Sequence, residues 1–361
     1  MFVIFILSLL SWEFIQCYKI TTMPSIVNNH ILPMYWKVAK SVDITTKPQK
    51  FIFNDFPICI YRKNNGKVVA ISDICVHRGA SLSQGKLLAN NCIQCPYHGW
   101  EYKNGLVNQI PGCPETKMGT VGTNRFSVCE INSDIYIQPF QDIHTNRGTF
   151  YNHTIYVPPE ASDPAFTRVH GKRHLNRPAS LVTENVLDMM HISYVHSFGN
   201  QRSPIPFQIN YEDISEYSGK TIFHYTASTS SISSILGNSK FVTVENEFHL
   251  PDTTVTRVKA NEHLIKTIVT HCYPIGKNES ILHYDLYRNF MTNSLIDPLI
   301  NHQMDLTLKE DIDILNQLHD KYNCGFMHTK FDITQLKYRS KKNKIRKQVF
   351  PPKPSLKKDN N

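Results

Sequence analysis

The sequence predicts an α+β protein of two domains, an N-terminal antiparallel β domain followed by an α+β domain in which helices flank an antiparallel sheet. Three observations carry this. The chain of 361 residues is 41% hydrophobic, which is too long for one small domain and apolar enough to bury two cores. From Tyr35 to about Phe140 it reads as short strands broken by turn chemistry. Beyond the turn-rich, polar stretch between Phe140 and His174, helical and strand-like runs follow one another.

The first domain begins with Phe51-Ile52-Phe53 and Ile58-Cys59-Ile60-Tyr61. Lys63-Asn64-Asn65-Gly66 follows as an Asn-Gly hairpin signal, with Val68-Val69-Ala70-Ile71 as the return strand. The second contains a helical stretch near 180–197, β-like runs at Thr221–Tyr225 and Thr267–Thr270, and a helix from about Asp297 to Tyr322. Helices at both ends of an antiparallel sheet define the α+β class.

The formal charge of +9 is a property of the C-terminus. Ten of the 39 Lys/Arg and one of the 30 Asp/Glu fall in residues 337–361, so the rest carries 29 of each sign. From a neutral body without helix-turn-helix, zinc-finger or aromatic RNA-binding signatures no nucleic-acid partner is expected, and residues 341–361 read as a basic, disordered tail, with nucleic-acid or anionic-membrane contact as the lesser alternative. Nine cysteines without framework spacing argue against a disulfide scaffold and for a reducing intracellular compartment. Phe2–Trp12 is strongly apolar but far short of the roughly 20 residues of a spanning helix. Residues 1–33 are therefore an apolar leader or N-terminal extension, equally compatible with organelle targeting, membrane association and a true start at Met23 or Met34.

Two constellations carry chemistry. Cys75-Val76-His77 is followed, after seventeen residues, by Cys95-Pro96-Tyr97-His98. Two loops that each offer one Cys and one His form the ligand set of a [2Fe-2S] cluster in which two thiolates hold one iron and two imidazoles the other. A structural zinc site built from two Cys and two His takes the same residue types, although zinc fingers usually keep Cys with Cys. Cys92 and Cys113 lie off this pattern and read as small buried residues.

The second constellation is Glu184 to His196. Glu184, Asp188 and His191 are spaced to lie along one helical face. His191 and His196 are about 500° of turn apart, so both reach one ion only if the helix bends or ends between them. Two His and a carboxylate on one face of Fe(II) leave positions open for O2. No Gly-x-Gly-x-x-Gly element follows a strand, so electrons must come from a separate protein.

Cys75-x-His77-Arg78-Gly79-Ala80 and Cys95-x-x-His98-Gly99-Trp100-Glu101-Tyr102 resemble the two loops of Rieske domains. The stretch 184–196 resembles the acidic-x3-Asp-x2-His-x4-His signature of Rieske oxygenase catalytic domains. The resemblance covers roughly 35–340 and implies a Rieske non-haem iron oxygenase, with a Rieske domain at 34–140 and a catalytic domain at 150–340. It implies Cys75, His77, Cys95 and His98 as cluster ligands and His191 and His196 as ligands of the mononuclear iron. Lys309-Glu310-Asp311 resembles the family's Glu-Asp segment and implies Asp311 as the third ligand, with Asp313 as fallback. Asp188 matches the carboxylate that links a mononuclear-site His to a Rieske His of a neighbouring subunit, which implies a homotrimer.

A ferredoxin or reductase as electron donor, O2 and a small organic substrate complete the expectation. Hydroxylation, demethylation and desaturation are all open, as are aromatic, tetrapyrrole and sterol-like substrates. Asn185-Val186-Leu187-Asp188, Lys330-Phe331-Asp332 and Tyr338-Arg339 look most like the branch containing pheophorbide a oxygenase and chlorophyllide a oxygenase. Cys272 and Cys324 stand alone, where several plastid members carry a Cys-x-x-Cys pair. The rival class is a Rieske electron-transfer or redox-sensing protein with an inactive second domain.

Overall fold

Short turns with left-handed residues set the first domain. The computed structural model describes residues 31–114, 121–139, 154–228, 240–260, 265–319, 325 and 327–350. Strands β1 (Trp36–Lys40), β2 (Gln49–Phe53), β3 (Phe56–Arg62), β4 (Val68–Ser72), β9 (Arg125–Ile131) and β10 (Asp134–Gln138) form a six-stranded sheet in the order β1-β10-β9-β4-β3-β2. Asn54-Asp55 and Asn132-Ser133, all at positive φ, make the two-residue hairpins β2–β3 and β9–β10. The expected Asn-Gly hairpin joins β3 to β4, with Gly66 at φ +84°.

A small sheet of β5 (Lys86–Leu87), β6 (Ile93–Gln94), β7 (Glu101–Lys103) and β8 (Leu106–Gln109) packs its Ile93 and Tyr102 with Tyr61, Ile71 and Leu82. This four-stranded sheet carries the Cys95–His98 loop between β6 and β7 and borders the Cys75–His77 loop.

The second domain is a seven-stranded antiparallel sheet of β11 (Thr167–Leu175), β12 (Phe207–Ser215), β13 (Ser218–Thr226), β14 (Phe241–His249), β15 (Thr253–Lys259), β16 (Ile265–Gly276) and β17 (Glu279–Arg288). Its order is β11-β17-β16-β15-β14-β13-β12. The stretch expected as an irregular junction up to His174 thus contains most of the edge strand β11. Helices α1 (Ala179–Val186) and α3 (Asp297–Gln317) pack their Leu181, Val182, Met304 and Leu308 onto Val169, Leu282 and Leu286 of the sheet. Between them runs the five-residue helix α2 (His191–Val195).

The two domains share one core and one buried ion network. Phe53 stacks on Tyr273 with centroids 6.0 Å apart, and the N–H groups of Asn54 and Asp55 donate to the carbonyls of Pro274 and Ile275. Lys37, fully buried, bridges Asp134 at 2.9 Å and Asp285 at 2.7 Å, joined by Lys40 and Arg168. Removing one member would leave a buried charge uncompensated. Both domains are therefore held at a fixed mutual orientation.

The structure corrects the expectation of a disordered tail from residue 341. Helix α4 (Ile333–Val349) runs through it. Tyr338 and Ile345, seven residues apart on one face, are buried in the shared core, while Lys341 and Lys344 pair with Asp213 and Glu216. Only 351–361 lie outside the described residues. Ile345→Ala is expected to cost about 2–5 kcal/mol in urea unfolding, the usual range for emptying a buried aliphatic site, whereas a detached tail would leave the midpoint unchanged. Residues 1–30 of the expected leader or extension also lie outside the described residues, whereas Ile31 and Leu32 are buried in the shared core. Among those described, no helix is long and apolar enough to cross a membrane.

Candidate functional site

The two Rieske-like loops repeat one backbone motif. In each, the N–H four residues after the Cys donates to the Cys carbonyl (Gly79 to Cys75, 2.8 Å; Gly99 to Cys95, 3.1 Å). The Cys N–H in turn donates to the carbonyl five residues on (Ala80 and Trp100). Closing such a turn needs positive φ at the fourth position, where Gly79 stands at +73° and Gly99 at +72°. Cys75 and Cys95 are buried and His77 and His98 exposed, the two rings 4.5 Å apart. Trp100 stacks flat on His77 at 4.6 Å.

This segregation fits a two-iron cluster with its thiolate iron inside and its imidazole iron at the surface. Burial pushes the Cys75 thiol above its ordinary pKa although the hydrogen bond with Tyr102 pulls it down; a bound metal cation would supply the missing counter-charge. Tyr102 was not singled out in the sequence. Its hydroxyl lies 3.0 Å from Cys75 Sγ and accepts the Val76 N–H at 3.1 Å. The expectation that Cys92 and Cys113 are both buried holds for Cys92; Cys113 is exposed.

The second site forms where the helix is interrupted. Helix α1 stops at Val186, and the Asp188 carboxylate accepts the Met190 N–H at 2.7 Å, a local bond that competes with helix continuation. This corrects two expectations. Glu184, Asp188 and His191 do not share one helical face, and the His191 Nδ1–H is taken by the Asp188 backbone carbonyl at 2.7 Å rather than by its carboxylate. Glu184 instead pairs with Arg339 of α4 at 2.7 Å.

His191 opens α2, and His196 follows it with extended backbone at φ −88°, ψ 138°. The chain therefore ends its helix between the two imidazoles, and their rings come to 5.1 Å. Helix α3 brings Asp311, whose Oδ1 lies 3.4 Å from His191 Nε2 and 3.6 Å from His196 Nε2. Asp313 is exposed and pairs with Lys309 one turn away, so it stays outside the site.

Both imidazoles have their Nδ1 engaged. Glu310 holds His196 Nδ1 at 3.0 Å and takes the Ser197 N–H at 3.2 Å, and Asn185 donates to Asp311 at 2.9 Å. Fixing Nδ1–H leaves Nε2 of each ring as the metal-facing acceptor. Burial holds His196 below its ordinary pKa, whereas at His191 burial is outweighed by Asp311, which holds the group above it. The donor set fits one iron held on one face by two imidazoles and a carboxylate. Glu310 and Asn185 are the site residues that sequence reasoning missed. The only signal for Glu310 was its place beside Asp311.

The triad opens onto a cavity of about 190 Å³ whose wall includes Phe198, Val244, Val258, Ile268 and Leu308. Its lining mixes these apolar side chains with polar ones such as Asn200, Thr256 and Gln303, and a cleft of apolar walls with placed polar groups is the usual form of a small-molecule site.

Fold and donor sets together define a two-centre iron protein, with a pair of Cys-and-His loops on a β domain and a site of two imidazoles and one carboxylate on a helix-flanked sheet. The family models agree, with a Rieske [2Fe-2S] domain matching residues 34–124 and a vanillate O-demethylase oxygenase C-terminal domain matching 175–348. The chain belongs to the Rieske non-haem iron oxygenases, which carry a [2Fe-2S] cluster and iron. It is 33% identical over 163 residues to the oxygenase component of dicamba O-demethylase from Stenotrophomonas maltophilia, covering 45% of this chain and 46% of that protein. It is 30% identical over 165 residues to chloroplastic pheophorbide a oxygenase from Oryza sativa subsp. japonica, covering 43% of this chain and 31% of that protein. The matches thus span less than half the length of these curated relatives. A crystal structure of dicamba monooxygenase bound to dicamba superposes with a TM-score of 0.70 at 20% identity, over 88% of this chain and 98% of that one, and so shares the fold.

Proposed function

We propose that this protein is an oxygenase component that hydroxylates, demethylates or desaturates a small organic substrate held in the cavity beside His191, His196 and Asp311. Its electrons come from a separate ferredoxin or reductase through a cluster held by Cys75, His77, Cys95 and His98. The observation that carries this reading is the convergence of three donors from two helices on one point at an apolar cavity. A pure electron carrier has no use for such a cavity. When bound, iron held on one face by three protein ligands supplies one-electron chemistry and open positions for O2.

The chain's own residues do the rest. Glu310 and the Asp188 carbonyl orient the two imidazoles, and Asn185 orients Asp311. The apolar walls exclude water from the reacting carbon. Buried Cys75 and Cys95 and exposed His77 and His98 would hold the cluster, which would supply single electrons to the second site. Asp188, partly exposed with Oδ1 committed to Met190, is positioned to offer Oδ2 to an imidazole of a neighbouring chain in a homotrimer.

The test is the metal content of anaerobically purified protein. Three iron and two acid-labile sulfide per chain, with a Rieske-type EPR signal on reduction, are expected. Stoichiometric zinc without sulfide would refute the assignment, and a full cluster with no third iron would favour the electron-transfer reading.

A further inference from the structure

The wall of the cavity contains a cation that the proposed chemistry leaves unused. Lys266 lies on β16 and, among the described residues, is the one Lys or Arg side chain lining the cavity. Its cross-strand neighbour Arg288 makes the contrast. Arg288 is fully buried and is paired with Asp297 at 2.5 Å and the Met291 carbonyl. Lys266 has no carboxylate and no hydrogen-bond acceptor among the described residues; its one recorded contact is the Phe198 ring, 5.9 Å from Nζ. A cation–π contact at that range leaves all three N–H donors of an ammonium unpaired.

Phe198 in turn stacks on His196 at 4.9 Å, so the ammonium stands one aromatic ring away from the iron site. The neighbouring walls are apolar, with Val258 and Ile268 on the same sheet face. Lys266 is half-buried, and that burial lowers its pKa with no neighbouring charge to offset it, a condition that favours an anion beside it.

We propose that Lys266 is the specificity residue of the cavity and that the substrate is a small, largely apolar organic acid whose carboxylate pairs with the Lys266 ammonium while its apolar body lies towards His191 and His196. This rests on the oxygenase reading and narrows it, since it sets neutral sterol-like and uncharged heterocyclic substrates aside. The ion pair would fix the acid end and so select which carbon of the body lies nearest the iron. A desolvated charge-assisted pair of this kind discriminates strongly against the neutral isostere.

The experiment is anaerobic calorimetric binding to metal-loaded protein of matched acids and carboxamides: 2-methoxybenzoate, 1-naphthoate and indole-3-carboxylate with their amides. At least one acid is expected to bind the wild type about tenfold or more tightly than its amide, as a charge-assisted bond predicts. Lys266→Met should remove that preference by weakening acid binding far more than amide binding, and Lys266→Arg should retain it. Wild-type protein with no preference for any acid overturns the proposal, as does Lys266→Met that still prefers the acid. Iron and sulfide assayed on the same samples separate this from the wider reading. A correct metal ratio without acid preference rejects only the role of Lys266.

Discussion

His196→Ala is expected to abolish turnover while leaving the cluster intact. The imidazole supplies one of three donors within 4.8 Å of one another, and its loss leaves a His and a carboxylate that cannot retain iron against dilution. Iron should fall from three to two per chain with sulfide unchanged, and the Rieske EPR signal should keep its shape and intensity. The two sites stand on different domains, one on loops of the β domain and the other on and beside helices α2 and α3, which is why one can be emptied without the other. Loss of the Rieske signal in this variant would mean that the roles of the two His sets are confused.

Asp188→Asn is expected to slow cluster-to-iron electron transfer by about two orders of magnitude with both centres loaded, the scale on which a carboxylate supporting a metal-bound imidazole acts. The structure makes this substitution unusually clean. The backbone carbonyl of residue 188, which asparagine keeps, holds His191. The Met190 N–H bonded by the carboxylate finds an equivalent acceptor in the asparagine side-chain oxygen. What changes is the negative charge, which also acts on the nearby His191, and the second carboxylate oxygen, which in the proposed trimer would accept from an imidazole of another chain. Stopped-flow absorbance of the reduced cluster mixed with O2 and substrate gives the rate. A wild-type rate would end the bridging idea, and a lower unfolding midpoint with unchanged turnover per iron would reduce Asp188 to a turn-former.

The Rieske loops were legible in the sequence because their chemistry is local. Cys75, His77 and Gly79, like Cys95, His98 and Gly99, lie within five residues of one another, and the turn that presents the ligands is closed by its own backbone. The hairpins at Asn54-Asp55 and Asn132-Ser133 have the same locality and were nevertheless passed over. The basic stretch after residue 337 was misjudged for a related reason. Charge density outweighed two buried residues seven apart, Tyr338 and Ile345, whose partners Phe248 and Leu250 are distant in sequence.

By itself, then, the sequence determined the two Cys-and-His loops, the His191 and His196 pair as candidates for a second site, the α+β class and the need for a helix break between those two His, because each follows from residue type and short-range spacing. The tertiary structure decided where that break falls, that Asp311 rather than Asp313 faces the imidazoles, that Glu310 and Asn185 orient the site, and that Lys266 stands among the apolar side chains beside it. Each of these depends on which face of α3 or β16 meets a helix more than thirty residues away in the chain. Packing of the seven-stranded sheet against α1 and α3 sets that choice, because burying their apolar faces fixes the rotation of every polar side chain they carry.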